Sequence, residues 1–190
     1  ILWRNRTTGT NTLWQMNGTT YLANLPVLAQ NNLNWQVGAT ADFDADSKPD
    51  ILWRDYVTGV NTVWLMDGTT LLSAVELPVV VNLDWTIVGA ADFSGDGKTD
   101  LLWRNQDSGA NLIWVMDGVT FVSSISLPFV GNPGWYITGV ADYNADAKVD
   151  ILWRNQSSGI DAIWLMNGTS YSTRVLLPTV GLSWQMQGPR

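Results

Sequence analysis

Twelve tryptophans stand on a regular grid, three in each of four units. They fall at Trp3, Trp53, Trp103 and Trp153; at Trp14, Trp64, Trp114 and Trp164; and at Trp35, Trp85, Trp135 and Trp184. The period is 50 residues, with a slip of one residue before Trp184. Arg4, Arg54, Arg104 and Arg154 keep the same period, as do Met16, Met66, Met116 and Met166. A repeat of this length specifies a solenoid, a propeller or an array, in which each unit buries its apolar face against the next. The 190 residues therefore make one domain, 1–190, in repeats 1–50, 51–100, 101–150 and 151–190.

Each unit reads as four short strands. In the second, a β-rich run starts at Trp85 and ends at an acidic loop, and Asp100–Arg104 follows as a second strand. Asn111–Met116 is a third, and Phe121–Leu127 a fourth that Pro128 ends, since proline cannot donate to a ladder. Asp117-Gly118 between the last two predicts a type I′ hairpin turn. No segment carries a capped 3.6-residue period, so no helix is expected. The fold class is all-β, a β-propeller of four-stranded blades. Ile1 falls where a second strand begins, and Trp184-Gln-Met-Gln-Gly188 matches a first strand. The expected arrangement is four-bladed, with strand exchange between the termini. Half of an eight-bladed dimeric ring, or part of a larger propeller, are the alternatives. With no initiator Met and no signal pattern, the sequence is expected to be a piece of something longer.

Ten of the 17 acids sit in three loops in register. The candidate metal ligands are Asp42, Asp44, Asp46 and Asp50; Asp92, Ser94, Asp96 and Asp100; and Asp142, Asn144, Asp146 and Asp150. The backbone carbonyls of Lys48, Lys98 and Lys148 complete each set. Oxygen ligands at loop positions 1, 3, 5, 7 and 9 suit the hard cation Ca²⁺ in a structural role. Turn capping by Asp and Asn, with lysine offsetting the charge, is the competing account. Only the second loop has Gly at position 6, as Gly97.

With its neighbour Leu-Leu-Trp-Arg-Asn, the loop Asp92-Phe-Ser-Gly-Asp-Gly-Lys-Thr-Asp100 resembles the FG-GAP, or VCBS-type, repeat. That family builds propeller blades in integrin α heads and in secreted bacterial proteins, and its acidic loop often holds Ca²⁺. The Ile-Leu-Trp-Arg-Asn and Trp-x-Met-Asn-Gly variant is similar to blades of bacterial and fungal propeller lectins, which bind fucose or related sugars between blades. The resemblance covers essentially the whole chain. Ser47 and Ala147 depart from it where the family has Gly, and there are fewer units than such lectins carry. The small count also suits an excised or engineered array.

Composition narrows the function. No Cys and no His are present, which removes thiol chemistry, the Ser-His-Asp triad and His-ligated metals. A single Glu and carboxylates repeated in register leave little for catalysis, so no enzyme is expected. Net charge of −7 argues against nucleic acid as a partner, and no apolar run is long enough to span a membrane. Two readings remain. One is a multivalent carbohydrate-binding propeller, possessing an aromatic face and directed polar groups. Its candidate ligand residues are Trp14, Trp64, Trp114 and Trp164 with Asn11, Asn61 and Asn111, although positions i and i+3 of a strand face opposite ways. The other is a structural or adhesion scaffold that docks a protein. The chain is expected to be a monomer or a ring-completing homodimer, in an extracellular setting.

Overall fold

The computed structural model describes residues 1–186 and is all-β. Blade one is β1 (Leu2–Arg4), β2 (Asn11–Asn17) and β3 (Thr20–Val27). Blade two is β4 (Trp35–Ala41), β5 (Asp50–Asp55), β6 (Asn61–Asp67) and β7 (Thr70–Leu77). Blade three is β8 (Trp85–Ala91), β9 (Asp100–Asn105), β10 (Asn111–Asp117) and β11 (Thr120–Leu127). Blade four is β12 (Trp135–Ala141), β13 (Asp150–Asn155), β14 (Asp161–Asn167) and β15 (Ser170–Leu176). Each blade is an antiparallel meander in chain order, as expected when short turns join neighbouring strands. The first strands β4, β8 and β12 lie side by side, so they form the inner layer of the propeller.

Burial follows strand position. The second strands β5, β9 and β13 are buried at every residue, because both blade faces are covered there. The outer strand β7 is buried at only one position, its last residue Leu77. The core consists of three layers between consecutive blades. Between blades two and three, Leu52, Val63 and Leu77 meet Leu101, Trp103 and Trp114. Between three and four, Leu102, Ile113 and Leu127 meet Ile151, Trp153 and Trp164. In every layer the tryptophan pair belongs to the later blade. The two rings pack at a tilt, with Trp103 and Trp114 centroids 4.8 Å apart. Full burial of a large apolar side chain contributes roughly 3 kcal/mol, so these pairs dominate the stability of each layer.

The hairpin turns differ from expectation in one respect. Positive φ occurs at Gly18, Gly68, Gly118 and Gly168, whereas the preceding Asn or Asp does not have it. Asp117 pairs with Thr120, so Gly118 and Val119 are the central residues of the turn. Positive φ at the first central residue alone is the type II′ pattern, not type I′. The turn is offset by one residue because Asp117 still pairs as the last member of its strand.

The expected sharing of a blade by the two termini is half visible. Blade one has three strands, and β1 pairs only with β2. Its missing inner strand leaves a cavity of about 350 Å³ lined by Arg4, Arg6, Leu33, Trp35, Gln36 and Val37. Trp3, on the face of blade one that no preceding blade covers, is 47% exposed where Trp53 is 0%. At the other end, the Thr138 hydroxyl donates to Met186 Sδ at 3.2 Å. Met186 follows its tryptophan by two residues, as Ile87 does, and Ile87 packs on Gly38 of the preceding blade. Residues 184–186 thus hold the place of a further inner strand, but they are not paired to β1. Gln187 and Gly188, the rest of that predicted strand, lie outside the described residues.

Candidate functional site

The acidic loops connect first to second strands, and one carboxylate organises each. Asp50 is buried and accepts from Phe43 N and Met66 N, both at 2.8 Å. Asp100 accepts from Ser94 N at 2.8 Å and Met116 N at 2.9 Å. Asp150 accepts from Tyr143 N at 3.1 Å and Met166 N at 2.9 Å. The last loop position therefore clamps the loop to the third strand. Asp46, Asp96 and Asp146 cap the amides of Lys48, Lys98 and Lys148. The lysines reach to the hairpin turn of their own blade, at Asp67, Asp117 and Asn167.

The loops differ at the first position. Asp92 Oδ1 accepts from Gly95 N and Asp96 N, and its Oδ2 accepts from Gly97 N. Asp142 likewise accepts from Asn144, Asp146 and Ala147 amides. Asp42 accepts from Ser47 N through Oδ2, while its Oδ1 is buried without a hydrogen-bond partner. In that loop Asp42, Asp44 and Asp50 place one oxygen each within 4.8 Å of one another. Three converging carboxylates and an unsatisfied buried oxygen fit a hard cation. Ser94 and Asn144 stand where Asp44 completes the triad, so the other two loops are closer to pure turn caps.

Burial raises the pKa of Asp50 and Asp100 above the ordinary carboxylate range. Without an ion, each contributes stability while protonated, below the unfolded carboxyl value, and loses it as pH rises through the elevated folded value. A bound cation needs the carboxylate, so acid removes it. Ca²⁺ is therefore expected to raise the melting midpoint at neutral pH. That gain should vanish on acidification earlier than ordinary carboxylates would dictate. Calorimetry with Ca²⁺ and with EDTA across pH checks this; an unchanged midpoint at neutral pH removes the ion and leaves the cap.

Positions 4 and 6 of these loops are left-handed in all three: Ala45 and Ser47, Gly95 and Gly97, Ala145 and Ala147. The glycines of the second loop adopt this conformation without a Cβ penalty. Ser47→Gly is expected to stabilise the protein by about 1 kcal/mol, read as a higher urea midpoint.

At the opposite end of the second strands sits a second repeated cluster. Arg54 is buried and donates to Gly59 O, Asn61 Oδ1 and Val80 O at 3.0–3.2 Å. Arg104 donates to Asn111 Oδ1 at 2.9 Å and Val130 O at 3.2 Å. Each guanidinium also stacks on the tryptophan of the next blade, Arg54 over Trp103 and Arg104 over Trp153, at 5.1 and 5.0 Å. Burial lowers the pKa of both arginines. These groups tie turn, linker and neighbouring blade together.

This settles where the candidate sugar residues lie. Asn61 and Asn111 are buried on the arginine face and donate to Pro78 O and Pro128 O. Asn11 does the same at the edge, accepting from Arg4 and donating to Leu28 O. Trp64, Trp114 and Trp164 face the other way, into the layer before their own blade, and Trp14 lies on the unpartnered face of blade one. The alternation of a strand keeps Asn and Trp apart, so they do not form one site.

Besides the exposed Trp14, Trp164 of that set borders open space. A cavity of about 250 Å³ lies in the groove between the linker after blade three and the face of blade four. Phe129 and Trp135 line it, with Trp153, Trp164, Tyr171 and Arg174. Trp164 and Tyr171 meet edge to face at 4.9 Å. Trp153 is 1% exposed, and its indole N–H has no partner among the described residues. Tyr171 and Arg174 are exposed. The groove thus offers an aromatic wall and a cation. Repeat averaging hid it, because two of its members, Ala162 and Arg174, stand at positions that vary from blade to blade. Ala162 stands where blade three has Leu112, and Arg174 where blades two and three have Ala74 and Ser124.

The chain matches the family described as FG-GAP-like repeat over residues 42–103 and 92–153. No curated protein matches it at a significant level.

Proposed function

The chain belongs to the FG-GAP-like repeat family, and from that premise we propose that it is a non-catalytic carbohydrate-binding propeller working outside the cell. The observation that carries this reading is the groove of blade four. Trp135, Trp164 and Tyr171 present aromatic surface beside a guanidinium. A pyranose has an apolar face for such rings and hydroxyls for such a donor. The cavity has the size of one sugar residue rather than of a long chain. In the same reading Ca²⁺ held by Asp42, Asp44 and Asp50 stiffens the scaffold and takes no part in binding.

Tryptophan fluorescence titrated with L-fucose and a panel of methyl glycosides tests the proposal. A saturable change is expected; no response to any sugar overturns it. A protein-docking scaffold is the second reading, favoured by the exposed apolar residues Val79, Val81 and Phe129 on the linkers between blades. Those residues are separate from the aromatic wall except at Phe129.

The proposal includes closure of blade one by a strand starting at Trp184, from the same chain or from a second copy. The cavity beside Arg4, Gln36 and Val37 is its seat. Light scattering separates the two: one chain mass means closure within the chain, two means a ring-completing homodimer. A strand bound there in either form is expected to protect β1 amides from hydrogen exchange.

A further inference from the structure

We propose that the groove of blade four is a single site selective for an acidic sugar, with its carboxylate held by Arg174. This rests on the saccharide reading above and adds the class of ligand and the number of sites.

The number follows from what fills the equivalent place elsewhere. In blade three, Leu112 packs against the apolar layer together with Val80 and Trp85. Ala162 occupies that position in blade four and is itself 1% exposed. Replacing a leucine by an alanine removes three heavy atoms from the wall, and the open volume lies there, bordered by Ala162 and Trp164. The third blade cannot offer the same space without losing Leu112. Blade two has Thr62 at this position but Ala74 in place of Arg174, so the combination of open space and cation occurs in blade four alone, despite the repeated fold.

The class follows from Arg174. It stands opposite Trp164 across the β14–β15 pair, at the mouth of the cavity. The periodic arginines are all committed: Arg154, for instance, is buried against Asp161. The Arg174 side chain has no hydrogen bond, ion pair or aromatic stacking partner among the described residues. This is notable in a chain whose acids outnumber its bases by 17 to 10. A free guanidinium beside aromatic rings matches a planar carboxylate fixed to a pyranose, because two parallel N–H groups meet two carboxylate oxygens. Its single charge is balanced by one carboxylate. Neutral sugars satisfy the rings and offer the guanidinium only uncharged hydroxyls.

The test uses the whole chain and matched probes that differ only at C6, methyl α-D-galacturonide against methyl α-D-galactoside, and the glucuronide against the glucoside. Calorimetric titration is expected to favour at least one uronide by about ten-fold or more over its neutral partner. Arg174→Gln is expected to abolish that preference, read as equal affinities within each pair. Ala162→Leu is expected to abolish both, with an unchanged melting midpoint because leucine is the residue of blade three at this position. Equal affinities within both pairs, or a preference that survives Arg174→Gln, overturn the inference while the saccharide reading stands. If no probe and no sugar of the wider panel binds, the saccharide reading itself falls. Binding that survives Ala162→Leu places the site elsewhere and overturns the inference.

Discussion

Arg154→Ala is expected to lower the unfolding free energy by about 3–5 kcal/mol, the range for leaving one member of a buried ion pair alone. Arg154 donates to both oxygens of Asp161, at 2.9 and 3.0 Å. The two side chains are 5% and 2% exposed, so water cannot replace the lost partner. The same guanidinium holds the carbonyls of Val180, Gly181 and Trp184, which carry the chain out of blade four. Arg104→Ala provides the comparison. It removes the equivalent guanidinium but leaves neutral Asn111 behind, so about 2 kcal/mol is expected. Arg154→Ala with Asp161→Asn should recover at least about 1 kcal/mol over the single variant, since the orphan charge is gone. Urea unfolding of the four proteins measures these differences. Equal losses in Arg154→Ala and Arg104→Ala would show that the extra charge of blade four has no energetic weight.

That contrast also shows what the sequence made legible. The 50-residue grid declared blades, strand count and even strand ends, because Trp, Gly and Pro each answer to a local rule. Trp53 and Trp103 are in the grid because each interface needs a large apolar filler from the later blade. The acidic loops were legible for the same reason, although periodicity could not reveal that Asp42, Asp44 and Asp50 converge while Asp92 is occupied by amides. The turn type was misassigned by one residue, since Asp-Gly fits I′ and II′ turns depending on register alone. The groove was not legible. A search for a repeated site looks at what is constant, and constancy here marks the core. Ala162 and Arg174 stand at positions that no two neighbouring inter-blade layers fill alike, and their meaning depends on Leu112 filling the layer before theirs.

Gly109→Ala is expected to destabilise the protein by about 3 kcal/mol and to weaken groove binding at the same time. Gly109 has φ +83°, and an added Cβ would lie 2.3 Å from Val130 O. That carbonyl accepts from Arg104, and Val130 N donates to Gly109 O at 2.9 Å, so the linker is pinned on the turn from both sides. To accept the methyl group, the linker has to move. Phe129 precedes Val130 in that linker and lines the groove of blade four, so the shift reaches the binding wall. Gly59→Ala is the control. Its φ is +77° and its Cβ would meet Val80 O at 2.2 Å, so a similar loss of stability is expected. Its linker, however, leads into blade three, where Leu112 fills the groove. Urea unfolding should report comparable losses for the two variants, while a saccharide titration should report weakened affinity only for Gly109→Ala. Equal affinities would mean that the linker does not form a wall of the site. The groove would then be the work of β14 and β15 alone, held by the Trp164–Tyr171 contact and independent of the turn that joins one blade to the next.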